Sequence, residues 1–327
     1  MLRSLFLRTE DFMLENYQNN YLESLGSGLD EFSEMTCSER AFLSGAIRKF
    51  KPKKILELGV AAGASSAIIL NAIKDLEDAA LYSIDYSAEY YRKKEKNSGY
   101  IVKEKYPELA NKWKLYTGGP ACNFLDEIGN DIDFCLLDTT HCLPGEILDF
   151  LMILPFLKEN AVIVIHDIAI HTFASYRNNY SCGILISLLR GEKILPRNSE
   201  HDYGPNIGAV VLSNDIEDII WGIFYALTLP WGDFTFKDKE FIEIVSFLER
   251  FYSKEHVVFL KKAIEFNLVT KLKIISAPKE LEKTKIKYLS YCILAKLTFG
   301  KTRNKFKSKQ NRSRDKIRKA KEFLKTQ

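Results

Sequence analysis

The sequence predicts an α/β protein built on an open, mostly parallel, doubly wound sheet with helices on both faces. Two observations carry the prediction. Short apolar runs alternate with stretches of helical spacing from residue 54 to about residue 213, the order that gives parallel strands joined by crossover helices. Residues 53–66, KKILELGVAAGASS, set a buried strand, a turn of small residues and a helix start in immediate succession. That succession brings backbone close to a bound nucleotide.

Taken in order, residues 12–25 are amphipathic and break at Gly26-Ser27-Gly28, which gives a helical cap over 1–35. Residues 36–50 place Ala41, Phe42, Ala46, Ile47 and Phe50 at helical spacing, and Pro52 ends that helix. Strands are expected at 54–58, 80–85, 114–118, 132–138 and 161–167, with helices near 65–76, 88–105, 121–129 and 145–157 between them. Residues 206–213, NIGAVVLS, give one further strand, whose direction the pattern leaves open. Beyond it, 215–229 and 238–266 have helical spacing, the second broken near Ser253-Lys254. The divisions that follow are a cap (1–35), a sheet domain (36–214), a helical extension (215–299) and a basic tail (300–327).

Composition narrows the class. An apolar fraction of 46% and an aromatic fraction of 12% over 327 residues suit a globular chain with a large core. Six cysteines, at 37, 122, 135, 142, 182 and 292, form no C-x-x-C pair, which suggests reduced thiols, a cytoplasmic location and no zinc site. No apolar run reaches the roughly 18 residues of a membrane span. Charge is uneven: residues 301–327 hold 12 Lys or Arg against 2 acids, a local +10 in a chain of net +4, so the body carries −6.

Ligands of an open parallel sheet bind at the carboxyl ends of its strands, where strand order reverses. Four acids stand at or beside such ends: Glu57, Asp85, Asp138 and Asp167. Glu57 is placed to reach the polar end of a ligand lying over the turn. Asp85, 22 residues past Gly63, can accept the hydroxyls of a ribose or cap the start of the next helix. Gly118 and Gly119 allow close approach of a ligand, or form an ordinary turn. Asp138-Thr139-Thr140-His141 and His166-Asp167 each follow an apolar strand, and neighbouring strands bring the two ends together. Asp138 and Asp167, with His166, suit Mg²⁺ or Mn²⁺. His141 can take a proton from a substrate hydroxyl; a plain loop histidine and a metal ligand are its alternatives.

The pattern Glu57-x-Gly59-x-Ala61-x-Gly63 resembles the first motif of class I S-adenosylmethionine-dependent methyltransferases, with Ala61 in place of a glycine. A dinucleotide fingerprint would need glycine at 61 and 64, where alanines stand. DFCLLDTTH followed by ILPFLKENAVIVIHD resembles the O-methyltransferase subgroup related to macrolide sugar methyltransferases and cephalosporin-hydroxylase-like proteins. The resemblance covers residues 36–213 and implies a Rossmann-like, seven-stranded sheet with one antiparallel strand. It implies that Glu57, Gly59, Ala61, Gly63 and Asp85 hold S-adenosylmethionine, with Gly119 beside the adenine. It makes Asp138 and Asp167 metal ligands, His166 the occupant of a place where some members carry Glu, and His141 the general base. Thr139 and Glu159-Asn160 depart from the subgroup's glycine and Pro-Gly turn. His171, His201 and Tyr203 fall where its substrate loops lie.

The implied activity is O-methylation of a sugar hydroxyl on a surface glycan or glycosylated metabolite, within polysaccharide biosynthesis. Two rivals stand beside it: a non-catalytic binding protein of the same fold docking through its tail, and an RNA methyltransferase. The tail suits a solvated arm or attraction to an anionic membrane surface at the inner face. Its sparse aromatic residues and the acidic body argue against nucleic acid. A homo-oligomer is compatible with the sequence.

Overall fold

A computed structural model describes residues 7–10, 25, 27–197, 199–232, 236–274, 280–297 and 300–325. Their contacts divide into two compact units, 1–223 and 224–327.

In the first unit, helix α1 (Cys37–Phe50) starts at a capping box in which Thr36 and Glu39 satisfy each other's backbone N–H groups. It ends at Lys51, whose left-handed backbone turns the chain into Pro52. Strand β2 (Lys54–Leu58) follows, buried almost throughout as a central parallel strand must be. A turn over 59–63 leads to α2 (Ala64–Ile73), which delivers the chain to β3 (Ala80–Asp85). Strand β6 (Trp113–Thr117) then lies beside β3, and β7 (Ile132–Leu137) and β8 (Leu157–His166) extend the sheet on the other side of β2. Between them run α4 (Leu125–Ile128) and α5 (Gly145–Ile153).

After α6 (Ser181–Leu188) come β9 (Gly191–Pro196) and β10 (Ile207–Leu212), and β10 runs antiparallel to both its neighbours, β8 and β9. The strand order is β1-β9-β10-β8-β7-β2-β3-β6, with β1 (Leu7–Glu10) added parallel to β9 at the edge. The six strands placed from the sequence are present; β9 brings the sheet to the seven that the resemblance implies, and β1 makes an eighth. Strand order reverses between β2 and β7, so the sheet opens its binding crevice above the ends of those two strands. Phe134, Leu136, Val162 and Val164 are buried in the core along with α2's Ile68 and Ile69.

Three local expectations need correction. Residues 88–105 are not one helix: β4 (Glu89–Tyr90) and β5 (Lys93–Asn97) form a hairpin, and only α3 (Tyr100–Lys105) is helical. Ser98 closes the hairpin by donating its N–H to Ala88 O and its hydroxyl to Ser87 O, and Gly99 follows at φ +73°. Strand β9, GEKILP, was not expected; its polar opening hides the short apolar part. Of the expected cap, Leu7–Glu10 form an edge strand, and the helix expected over 12–25 falls almost wholly outside the described residues.

After α7 (Glu217–Ala226), the second unit takes in helices α8 (Asp238–Leu248), α9 (Lys254–Ile274), α10 (Glu280–Leu297) and α11 (Gly300–Lys325). The predicted break falls between α8 and α9. Asn267 donates to Leu227 O at 2.9 Å and accepts from Trp231 N at 3.1 Å, pinning the start of this unit to α9. The basic tail is helical: Phe306 packs on Leu294 and Ala295, while Lys305, Lys307, Arg312 and Arg314 face outward. Among the described residues no helix is long and apolar enough to cross a membrane.

Candidate active site

The turn after β2 is fixed by close approach of chain to chain. Gly59 has φ +89°, and a Cβ built there would stand 1.8 Å from the carbonyl oxygen of Asp138. Gly63, at φ +99°, would meet Gly99 Cα at 2.9 Å. Ala61 also adopts a left-handed backbone, φ +50°, without being glycine. The turn is held from the side by Asp85, whose Oδ2 accepts from Val60 N at 3.0 Å and Ala61 N at 2.9 Å. Its Oδ1 accepts from Ser87 N at 2.8 Å.

Glu57 lies beneath this turn, wholly buried. Its Oε2 accepts from the hydroxyls of Ser66 at 2.6 Å and Ser83 at 2.5 Å, and Oε1 is buried without a hydrogen bond. Burial pushes its carboxyl up to about 7 against the pull of the serine hydroxyls. Glu57 therefore steadies the turn from inside, through the start of α2 and through β3.

On the adjoining rim, β7 and β8 bring Asp138, His166 and Asp167 together, and the loop after β7 adds His141. His141 Nε2 is 3.2 Å from Asp167 Oδ2 and 3.9 Å from Asp138 Oδ1. Both His141 (φ +59°) and Asp167 (φ +57°) hold left-handed backbone conformations, the kind of strain that accumulates at working sites. Asn206 at the entry to β10 donates to Asp167 Oδ1 at 2.6 Å.

His166 stands behind the rim. It is 3% exposed, with Nδ1 at 3.2 Å from Asp138 Oδ1 and 3.7 Å from Asp167 Oδ2, and Nε2 at 3.4 Å from Glu39 Oε2. Burial alone would lower its pKa; the charges of Asp138 and Asp167, with hydrogen bonds to Asp138 and Glu39, outweigh burial and hold it well above the usual histidine range. Burial likewise works against Asp138 and Glu39, and His166 overcomes it in both: Asp138 is lowered, and Glu39 falls to about 2.

A second group of acids lies under His141. Thr139 donates toward Glu146 Oε1 (3.0 Å) and Asp149 Oδ2 (2.8 Å), and Glu146 also accepts the backbone N–H of His141. Burial, reinforced by the charge of Glu146, pushes Asp149 up to about 7. Thr139, which stands where the subgroup has glycine, thus spends its hydroxyl on these carboxylates. Cys182 Sγ sits 3.9 Å from His141 Nδ1, so one cysteine that the spacing left unassigned borders the site.

Residues 56–168 match the family described as a methyltransferase domain. Over that segment the chain is similar to a methyltransferase domain. No curated protein matches the chain significantly. Among solved structures it is similar to an O-methyltransferase from Streptomyces achromogenes involved in tomaymycin synthesis, at 14% identity and TM-score 0.45, covering 64% of this chain and 93% of that one. A methyltransferase from Podospora anserina shows 16% identity and TM-score 0.45, with 60% and 88% covered. An O-methyltransferase from Bacillus cereus shows 13% identity and TM-score 0.43, with 63% and 93% covered.

The residues around the turn fit S-adenosylmethionine, the donor that the motif resemblance implies, in one respect and alter its expected partners in another. A Cβ at Gly118 would find no atom within 4 Å, which leaves room over the end of β6 beside the turn. Gly119 is buried, and its missing side chain accommodates Asn123 Nδ2 rather than a ligand. Asp85 has spent three acceptor positions on backbone, so Oδ1 alone keeps an unused lone pair for a ribose hydroxyl. For a cation, single donor atoms of Asp138, His141 and Asp167 all lie within 4.8 Å of one another; the two carboxylates fit a hard divalent ion such as Mg²⁺ or Mn²⁺, with the imidazole standing beside them. His166, expected beside these ligands, stands behind them, with Nδ1 toward Asp138 and Asp167 and Nε2 toward Glu39. The sequence reading missed Glu39, whose helix-capping role is complete in itself.

Glu57 sets a pH dependence. Its folded pKa lies above the ordinary 4.5, so its contribution to stability is full below that value and is lost as pH rises through about 7. Glu57→Gln should flatten the decline in unfolding free energy between pH 5 and pH 8 by about 3 kcal/mol. Urea melts across that range check this, and an unchanged slope would contradict the burial assigned to Glu57.

Proposed function

We propose that this protein transfers the methyl group of S-adenosylmethionine to a sugar hydroxyl, assisted by a divalent cation. The observation that supports it is the convergence of Asp138, His141 and Asp167 on one rim point beside the turn of Gly59 to Gly63. The donor, when bound, supplies an electrophilic methyl carbon on a sulfonium sulfur. The acceptor oxygen forms its bond to that carbon as the carbon–sulfur bond breaks, giving a methyl ether and S-adenosylhomocysteine, and the hydroxyl proton passes to His141 Nε2. Asp167, 3.2 Å away, then carries the opposite charge to the imidazolium. Asp138 and Asp167 would hold the cation, whose charge lowers the pKa of a coordinated hydroxyl. Alignment of oxygen, carbon and sulfur supplies much of the rate.

The sugar reading draws on the aromatic surface beside the rim. Phe173 and Tyr176 are exposed, Tyr203 packs edge-on against Phe173 with centroids 4.6 Å apart, and its phenol is pushed up to about 12 by burial and by the nearby charges of Glu39 and Asp167. Such rings offer flat apolar faces with polar edges, a surface that suits the mixed faces of a pyranose.

Asp138→Ala should lose at least about a hundredfold in methyl transfer to glycan fractions while its affinity for S-adenosylmethionine stays within about twofold. His141→Gln should lose transfer but keep Mn²⁺ binding. Calorimetry with each ligand and radiolabelled methyl transfer separate these. Equal loss of donor binding and transfer in Asp138→Ala, or loss of Mn²⁺ in His141→Gln, would overturn the division of roles.

The outward lysines and arginines of α11 support docking to an anionic membrane surface, each basic group contributing roughly 1 kcal/mol near it. The intact chain should co-sediment with phosphatidylserine vesicles at low salt, and a chain ending at residue 299 should not. Equal sedimentation of both would remove the tail from this role.

A further inference from the structure

Glu39 lies in the first turn of α1, far in sequence from every residue of the rim, with its side chain 4% exposed. One carboxylate oxygen, Oε2, accepts from Thr36 N at 2.7 Å and faces His166 Nε2 at 3.4 Å. The other, Oε1, is 3.1 Å from His201 Nε2. His166 passes the contact on to Asp138 and Asp167 through its other nitrogen.

The loop between β9 and β10 closes the path from the opposite side. Glu200 accepts from Cys37 N and Ser38 N, both at 3.2 Å, so consecutive loop residues dock on the start of α1. The ring of His201 stacks on Tyr203 at 4.8 Å, and Asn206 ends the loop by bonding Asp167 Oδ1 and Ala169 N. Starting at Glu39, the contacts run through His166 to Asp167, through Asn206 and along the loop to His201, and return to Glu39.

We propose that Glu39 is a positioning residue that fixes the Asp138–Asp167 pair through His166 and fastens the Tyr203 loop through His201. Local helix capping needs only one of its oxygens, and that need would be met equally by an exposed glutamate. A carboxylate buried between two imidazoles is costly unless both contacts are kept. Its removal would take away the carboxylate that His166 Nε2, buried without a hydrogen bond, faces at 3.4 Å, and allow the ring to turn, so that Asp138 and Asp167 lose their shared partner. Partners of this kind orient the groups that bind an ion or substrate, and their loss typically costs about 10–100-fold in affinity.

The inference rests on the methyltransferase reading for its purpose but not for its geometry, and the test keeps the two apart. Full-length chain labelled with ¹⁵N-histidine gives ring spectra from five histidines, assigned by single substitution. Glu39→Gln should move the His166 and His201 ring signals and leave His171 and His256 in place. Mn²⁺ affinity, followed by the electron paramagnetic resonance of the unbound ion, should fall about tenfold or more, with S-adenosylmethionine affinity within about twofold of the parent. Glu39→Gln combined with His166→Asn should be no worse for Mn²⁺ than His166→Asn alone, as expected of residues acting in series. Unmoved His166 and His201 signals would overturn the proposal, as would a shift of all five together with a lowered melting temperature, or additive losses in the double variant. If the parent binds no Mn²⁺, the ring spectra decide alone. If it binds no S-adenosylmethionine, the methyltransferase reading fails, while the ring spectra still judge Glu39.

Discussion

The constraint on which the site depends is the passage of Gly59 under the carbonyl of Asp138, where a single methyl group would overlap an oxygen. The ladder continues past the ends of the central strands: Asp138 N donates to Leu58 O at 3.0 Å, Gly59 N to Ile84 O at 2.9 Å and Gly118 N to Asp85 O at 3.1 Å. The glycine turn and the acid rim are thereby parts of one hydrogen-bonded edge. Neither can shift by an ångström without the other, which is what an in-line transfer between two bound molecules demands.

Charge is layered around that edge. At the rim stand Asp138, His141 and Asp167, partly open to solvent. One layer behind, His166 and Glu39 are buried and each holds the other in its charged form. Under the turns lie Glu57 and Asp149, which burial pushes toward neutrality near pH 7. Asp138 keeps its negative charge because His166 lies behind it, and the turns keep their shape because the acids beneath them are bonded to hydroxyls.

The sequence makes the strand-turn-helix at 53–66 and the paired strand ends at 138 and 167 legible, because apolar runs bounded by glycine or acid report on local backbone and burial alone. It does not show where Asp85 and Glu57 point. At a strand end a carboxylate can bond ligand or backbone, and here Asp85 bonds mostly backbone while Glu57 bonds two serines. Glu39 is invisible for a different reason: the Thr36–Glu39 box accounts for it locally, and its contacts to His166 and His201 arise only when α1, β8 and the β9–β10 loop fold together. The charged run at 92–97 misleads in the same way, since KKEKN has no apolar face and only the bonds of Ser98 settle it as a hairpin.

The measurement that bears most directly on this account is anomalous diffraction from crystals of the full chain grown with S-adenosylhomocysteine and Mn²⁺. It locates the thioether sulfur and the ion in one experiment. The account predicts the sulfur over the turn of Gly59 to Gly63 and a manganese peak bounded by Asp138 and Asp167, with His166 outside the coordination sphere. A sulfur elsewhere, or a manganese ion ligated by His166, would contradict it.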